Sequence, residues 1–277
     1  MAKTGAETVM MAEMAWPEFA QRMKADPVVF VPCGATEQHG PHLPLSVDAL
    51  LPTDIAREVA EEVGGIVGPT LTMGYKSMPK SGGGPFFPGT VNLDGSTVAA
   101  IVRDVVRELV RHGARRLCFI VGHYENQWFV TEGIDLAMRE VGGQGVRIMR
   151  LEYWDFCTPE TLAKVFPDGF PGVALEHAAV METSLMLHYH PEMVRLDKIP
   201  DNPGADFPPY DMFPPHREWV PSSGALISAK GATREKGRLM AEQYRRDIAA
   251  AVRKEFGLGS RAGGAKGKDN KKTKSIR

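Results

Sequence analysis

Between Gly34 and Asp48 the chain sets a carboxylate, an imidazole and a second carboxylate (Glu37, His39, Asp48) in a Gly- and Pro-containing segment. That segment directly follows the apolar run Val28-Val29-Phe30-Val31. The arrangement recurs where Leu117-Cys118-Phe119-Ile120-Val121 ends at Gly122 and leads into His123-Tyr124-Glu125-Asn126. Glu37 and His39 stand two residues apart, as do His123 and Glu125, so in extended chain each pair points to one side. If the two strand ends are neighbours, four ligand groups converge, and Asp48, at the start of a helix, can bridge two cations. Mixed His/carboxylate donors without thiolate suit Zn²⁺ or Mn²⁺. Two such ions, about 3.5–4 Å apart, hold a bridging water, lower its pKa toward neutral and polarise a carbonyl. That chemistry is hydrolysis without a side-chain nucleophile.

Each residue taken singly also has a plain structural role: a strand-end histidine is commonly just hydrogen-bonded, and Asp48 would cap a helix with or without metal. Their joint placement at strand ends, where α/β proteins put ligands, favours the metal site. Elsewhere, Glu176-His177 follows the flexible Gly169-Phe170-Pro171-Gly172. A carboxylate beside an imidazole can tune a general acid near neutral pH, and it can equally be the lead-in to a helix. The remaining histidines fit structural positions: His112, His188 and His190 at helix ends, His216 among prolines, His42 orienting its own loop. Ser81 lies in Lys80-Ser81-Gly82-Gly83-Gly84, which matches neither the P-loop nor Gly-x-Ser-x-Gly. Those glycines instead suit a backbone that approaches a small ligand closely.

Short apolar β-branched runs alternate with amphipathic patterns, which predicts an α/β fold with a mostly parallel sheet covered by helices. Strands are expected at 28–32, 66–67, 117–121 and 146–151. Helices are expected at about 16–25, from Asp48 to Gly64, 96–111, 126–141, 179–188 and 233–256. The 96–111 helix is the plainest, with Val98, Ile101, Val102, Val105, Val106, Leu109 and Val110 on one face, Asp94 as its cap and Gly113 at its end. Residues 72–92 read as a long functional loop, and the proline-rich 190–226 as irregular cover. The 277 residues suffice for one large domain, here 1–256. From Gly257 to Arg277 seven Lys/Arg face one Asp, so this tail carries +6 and the rest of the chain −7 of the net −1. Such a tail is expected to be disordered, and without interleaved aromatics it does not predict nucleic-acid binding. Three cysteines make no disulfide framework, and no signal peptide or membrane span is read, so the expectation is a cytoplasmic protein.

The run Glu37-Gln38-His39-Gly40-Pro41-His42-Leu43-Pro44 with Asp48, and Gly122-His123-Tyr124-Glu125-Asn126 after it, resembles the creatininase (creatinine amidohydrolase) family. Phe87-Pro88-Gly89-Thr90, Tyr153-Trp154-Asp155-Phe156 and Phe207-Pro208-Pro209-Tyr210-Asp211 extend the similarity across about Trp16 to Phe256. The resemblance implies a three-layer α/β/α fold, a binuclear centre of Zn and/or Mn, and a homohexamer built as a trimer of dimers. It assigns Glu37, Asp48 and His123 to one ion, and His39, Asp48 and Glu125 to the other. It places Ser81, Tyr124 and Trp154 at substrate contacts, and His177, assisted by Glu176, as the acid that protonates the leaving nitrogen. The implied reaction opens a small cyclic amide, creatinine to creatine, by attack of a metal-bridging hydroxide. One departure stands out. The family's creatininases carry Trp-Asp where this chain has Val173-Ala174, and losing the indole removes about 1–3 kcal/mol of apolar contact. A different lactam, imide or linear amide is therefore the alternative substrate, and a catalytically silent metal-stabilised scaffold the alternative of another class.

Overall fold

A computed structural model describes residues 8–259. The part of the expected tail from residue 260 onward lies outside the described residues. A four-stranded parallel sheet forms the centre, in the order β2 (Ile66–Val67), β1 (Val28–Cys33), β5 (Arg116–Val121), β6 (Arg147–Glu152). β1 is buried at every residue, which is why it reads as a continuous apolar run rather than an alternating one. Its side chains nonetheless divide between two cores. Val28 and Phe30 join Cys118 and Ile120 beneath α2 (Val47–Val63), α7 (Val180–Tyr189) and α8 (Arg234–Phe256). Val29, Val31 and Cys33 join Leu117, Phe119 and Val121 beneath α4 (Gly95–Arg111) and α5 (Asn126–Val141). Helices therefore cover both faces, giving the expected three layers.

α4 buries Val98, Ala99, Val102, Val106, Leu109 and Val110, a stripe at helical spacing, against α5 and the sheet. Asp94 stands at its N-cap position without a capping hydrogen bond, because its carboxylate pairs with Lys76 instead. α8 is capped by Thr233, whose Oγ1 accepts from Lys236 N–H, and it ends at a left-handed Gly257. α1 (Trp16–Met23) opens the chain with Pro17 in its first turn.

Two stretches differ from expectation. Residues 72–92 are not a bare loop: β3 (Gly74–Tyr75) pairs in parallel with β4 (Asn92–Leu93), and the short α3 (Pro79–Gly82) lies between them. Both strands are two residues long, too short for a periodic signal. A further helix, α6 (Pro159–Val165), begins at Thr158, whose Oγ1 accepts from Thr161 N–H, with Pro159 in the first turn. The Thr-Pro pair is a start signal, but seven residues leave no apolar stripe to read. Among the described residues no helix is long and apolar enough to cross a membrane.

The register brings the two ligand-bearing strand ends level. Cys33 pairs with Val121, and Gly122 N–H then donates to Cys33 O at 2.8 Å. The 34–46 and 122–125 segments thus leave the same edge of the sheet side by side. At Gly34 a Cβ would lie 2.2 Å from the carbonyl oxygen of Asp48, so only glycine lets the chain leaving β1 pass the first turn of α2. That close approach brings Asp48 to Glu37.

Candidate metal centre

Asp48, 3% exposed, stands between the two histidines and offers one oxygen to each. Its Oδ1 is 3.0 Å from His39 Nε2, and its Oδ2 is 2.9 Å from His123 Nδ1. Glu37 Oε2 also reaches His123 Nδ1, at 3.0 Å. The far nitrogen of each ring is held by a carbonyl: His39 Nδ1–H donates to Glu37 O at 3.1 Å, and His123 Nε2–H to Tyr75 O at 2.9 Å. A carbonyl only accepts, so these contacts put the proton on the far nitrogen and turn the bare one of the neutral ring toward Asp48. That is the outer support by which metal-binding histidines are oriented.

The centre therefore contains two sets of three donors that share Asp48: Glu37, Asp48 and His123, and His39, Asp48 and Glu182. Glu182, on the first turn of α7, has Oε1 3.6 Å from His39 Nε2. Sequence reasoning missed it, since nothing local marks a glutamate inside an apolar helix as facing a site. Glu125 sits differently from its neighbours. Its Oε1 accepts from Ser81 Oγ at 2.6 Å and from Met78 N–H at 2.8 Å, while Oε2 lies 3.5 Å from His123 Nε2. Asn126 staples the surroundings, accepting from Tyr75 N–H at 2.8 Å and donating to Gly34 O at 2.9 Å.

Among the described residues no lysine or arginine ion-pairs with Glu37, Asp48, Glu125 or Glu182. Burial pushes Glu37 up to about 8. Burial also opposes the charged forms of His39 and His123, yet the acids around them (Asp48 and Glu182; Glu125 and Glu37) hold both rings well above the usual imidazole range. Asp48 goes the other way: burial raises it, and the two histidines more than offset this, holding it below the usual carboxylate range. Glu37 Oε1 is buried with no hydrogen-bond partner. A buried cluster of acids that lacks lysine and arginine partners among the described residues and leaves a carboxylate oxygen unpaired is suited to divalent cations, and protons on Glu37 and the histidines occupy that role when no cation is present.

The other predicted site residues lie around this cluster. Ser81, Tyr124, Trp154, Glu176 and His177 all line the same cavity, beside Val173. Tyr124 and Trp154 stack with ring centroids 6.3 Å apart at 27°, forming an aromatic rim. The His177 ring lies 4.4 Å, centroid to centroid, from that of His39. Burial, and then the nearby His39, push His177 well below the usual imidazole range. The turn that carries it is tight: Ala178 is left-handed (φ +54°), and its N–H donates to Glu182 Oε2 at 2.6 Å. Such a conformation in a non-glycine residue costs about 1–3 kcal/mol and persists where surrounding contacts enforce it. Glu176 does not turn to His177. Its Oε2 accepts from Met181 N–H at 2.7 Å at the start of α7, and burial raises it to about 8. His42 ties its loop to α7 through Thr183 Oγ1 at 3.0 Å, in keeping with a loop-orienting role. Residues 169–175, which carry Val173 to the rim, make local backbone bonds, as in Leu175 N–H to Gly172 O at 3.2 Å and Glu176 N–H to Val173 O at 3.0 Å.

With this geometry in hand, known proteins supply the comparison. The sequence model described as Creatininase: Creatinine amidohydrolase matches residues 12–252. A creatinine amidohydrolase of Pseudomonas putida is 49% identical over 255 residues, 90% of this chain and 98% of that protein. A manganese form of creatininase superimposes with a TM-score of 0.88 at 49% identity, covering 90% of this chain and 99% of that one. A Zn–Zn form of a creatininase mutant does so at 0.88 and 48%, covering 91% and 99%.

Proposed function

Because the chain belongs to the creatininase family, we propose that it is a metal-dependent amidohydrolase that opens creatinine to creatine. The observation that carries this reading is the pair of donor sets sharing Asp48, of which Glu37, Asp48, His123 and Glu182 line one cavity. Two divalent ions, Zn and/or Mn, would supply a nucleophilic water at neutral pH and polarise the ring carbonyl. Glu37, Asp48 and His123 would hold one ion, and His39, Asp48 and Glu182, the second set that shares Asp48, would hold the other. Glu125, implied by the family resemblance as a ligand, supports the first position from outside, with Oε1 taken by Ser81 and Met78 N–H and Oε2 3.5 Å from His123. Ser81 fixes the Glu125 carboxylate, and Tyr124 and Trp154 flank the planar ring of the substrate. His177, neutral because burial and the nearby His39 hold it well below the usual imidazole range, would hydrogen-bond the departing nitrogen through its N–H and so direct there the proton that the attacking water releases. Glu176 acts through backbone, fixing the start of α7 behind that histidine.

A second reading concerns the substrate alone. Val173 is 39% exposed at the rim and Ala174 beside it is small, so these two positions put no large side chain over the ring. A bulkier or differently substituted lactam or imide then fits the same chemistry. The deciding experiment is a screen of protein reloaded with Mn²⁺ or Zn²⁺ on creatinine beside related ring and linear amides. Creatine formation is expected. Turnover only of another amide moves the substrate within the family, and turnover of none overturns the enzyme reading in favour of a scaffold. The ligand assignment has its own test: Glu182→Ala should bring metal content from two ions per chain toward one, and Glu125→Ala should leave two. Location in the cytoplasm and assembly as a homohexamer (a trimer of dimers) complete the proposal; light scattering on the purified protein checks the latter.

A further inference from the structure

Gln38 lies between two proposed metal ligands yet faces neither ion position. Its side chain, in a residue 5% exposed, is enclosed by three loops. Oε1 accepts from Gly40 N–H at 2.9 Å, and Nε2 lies 3.0 Å from Gly82 O, 3.0 Å from Gly224 O and 2.8 Å from His177 Nε2. The orientation of this amide is fixed by its surroundings. Turned over, its oxygen would face two carbonyl oxygens and its NH₂ would face the Gly40 N–H, three repulsive contacts in place of three attractive ones. The chain also makes room for it. A Cβ on residue 224 would lie 2.0 Å from Gln38 Oε1, and one on residue 83 would lie 2.8 Å from Nε2; both positions are glycines with φ +83°.

An amide nitrogen has two hydrogens and no accepting lone pair. With three acceptors around it, one hydrogen is shared, and the shortest contact is the one to His177. That 2.8 Å contact is attractive only if His177 Nε2 carries no proton. We propose that Gln38 is the positioning residue that fixes His177 as its Nδ1–H tautomer, leaving Nδ1 as the one N–H that the neutral ring offers to substrate. The two glycine carbonyls hold the amide rigid, and the His39 ring, 4.4 Å from the His177 ring, limits tilting of the latter on another side. The catalytic half of this statement rests on the function proposed above; the tautomer does not.

The test is a two-bond proton–nitrogen correlation spectrum of the full-length, zinc-loaded protein with nitrogen-labelled histidine. The His177 signals are identified by their loss in His177→Gln or, should that variant fold poorly, His177→Asn. The expected result is an unprotonated Nε2 and a protonated Nδ1 in the wild type. In Gln38→Met, a near-isostere without the amide, the tautomer preference is lost. Gln38→Glu, whose carboxylate accepts, reverses it. In parallel, Gln38→Met should lower kcat by about 10–100-fold, the usual cost of losing an outer support, with KM and metal content little changed. A wild-type ring protonated at Nε2, directed at the Gln38 backbone carbonyl instead, overturns the proposal. So does a Gln38→Met protein with unaltered tautomer and kcat. If the loaded protein turns over no amide at all, the function fails while the spectrum still decides the tautomer.

Discussion

α2 carries acids at both ends, and the two ends live in different chemistry. At its first turn Asp48 is buried among Glu37, His39 and His123, with histidine its only potential cation. Further along, Asp54 accepts from Arg57 Nη2 at 2.7 Å and meets His190 Nε2 at 2.6 Å, while Glu62 binds Arg253 Nη1 at 2.8 Å and also Arg245. Glu58 accepts from the Tyr189 hydroxyl at 3.1 Å. The later turns are compensated within the protein and are complete as they stand. The first turn belongs to an acid-rich cluster that, among the described residues, meets no guanidinium or ammonium. Acids on one helix, read by type alone, look alike; what separates a ligand from a structural ion pair is whether the fold supplies the countercharge.

The strongest way to break this contrast is Asp48→Ala. Both donor sets lose their shared member, so bound metal should fall from two ions per chain to none by elemental analysis. Turnover should drop by at least about a thousandfold, the counterpart of ~4 kcal/mol of transition-state stabilisation. An Asp48→Ala protein that keeps both ions would end the distinction. Next in size is removal of metal from the wild type. At free metal about 100 times Kd, each ion contributes ~2.7 kcal/mol and the two together ~5 kcal/mol, so a chelator should lower Tm by roughly 10–20 °C by calorimetry. The Asp48→Ala protein should be indifferent to it.

A third effect concerns protons. Glu37, raised to about 8, and His39 and His123, raised well above the usual range, hold protons near neutrality when no metal is bound. An incoming ion must displace them, so affinity should rise with pH, by about tenfold per unit for each proton released. Titration calorimetry in buffers of different ionisation enthalpy counts those protons; a pH-independent affinity from 6 to 8 would contradict the assigned states. The smallest effect belongs to the other end of the helix. Glu62→Ala leaves two half-exposed arginines unpaired and should cost about 1 kcal/mol by denaturant unfolding, with metal content and turnover unchanged.

Much of this was legible in the sequence because it is local. β1 and β5 announce themselves as apolar runs, α4 as a stripe, and Glu37, His39, Asp48 and His123 as ligand-type residues directly after strands. What escaped depends on docking. Glu182 becomes a neighbour of His39 only once α7 lies against α2, and Glu125 turns to Ser81 because α3 forms inside a stretch read as loop. Glu176, adjacent to His177 in sequence, is directed instead to Met181 N–H by the turn at Ala178. Adjacency predicted partnership there, and backbone direction decided otherwise. The Gln38 amide shows the same limit: three of its four contacts come from Gly82, His177 and Gly224, none of them nearby in the chain.

The 169–175 segment brings Val173 to the rim while its backbone bonds stay among its own neighbours. Val173 and Ala174 shape what the cavity admits, while the hydrogen bonds of Glu125, His39, Asp48 and His123 are made, among the described residues, with other segments. Diversification of the accepted molecule and preservation of the reaction are thereby uncoupled, so a lineage can try new compounds through this short stretch at little risk to the chemistry it already has.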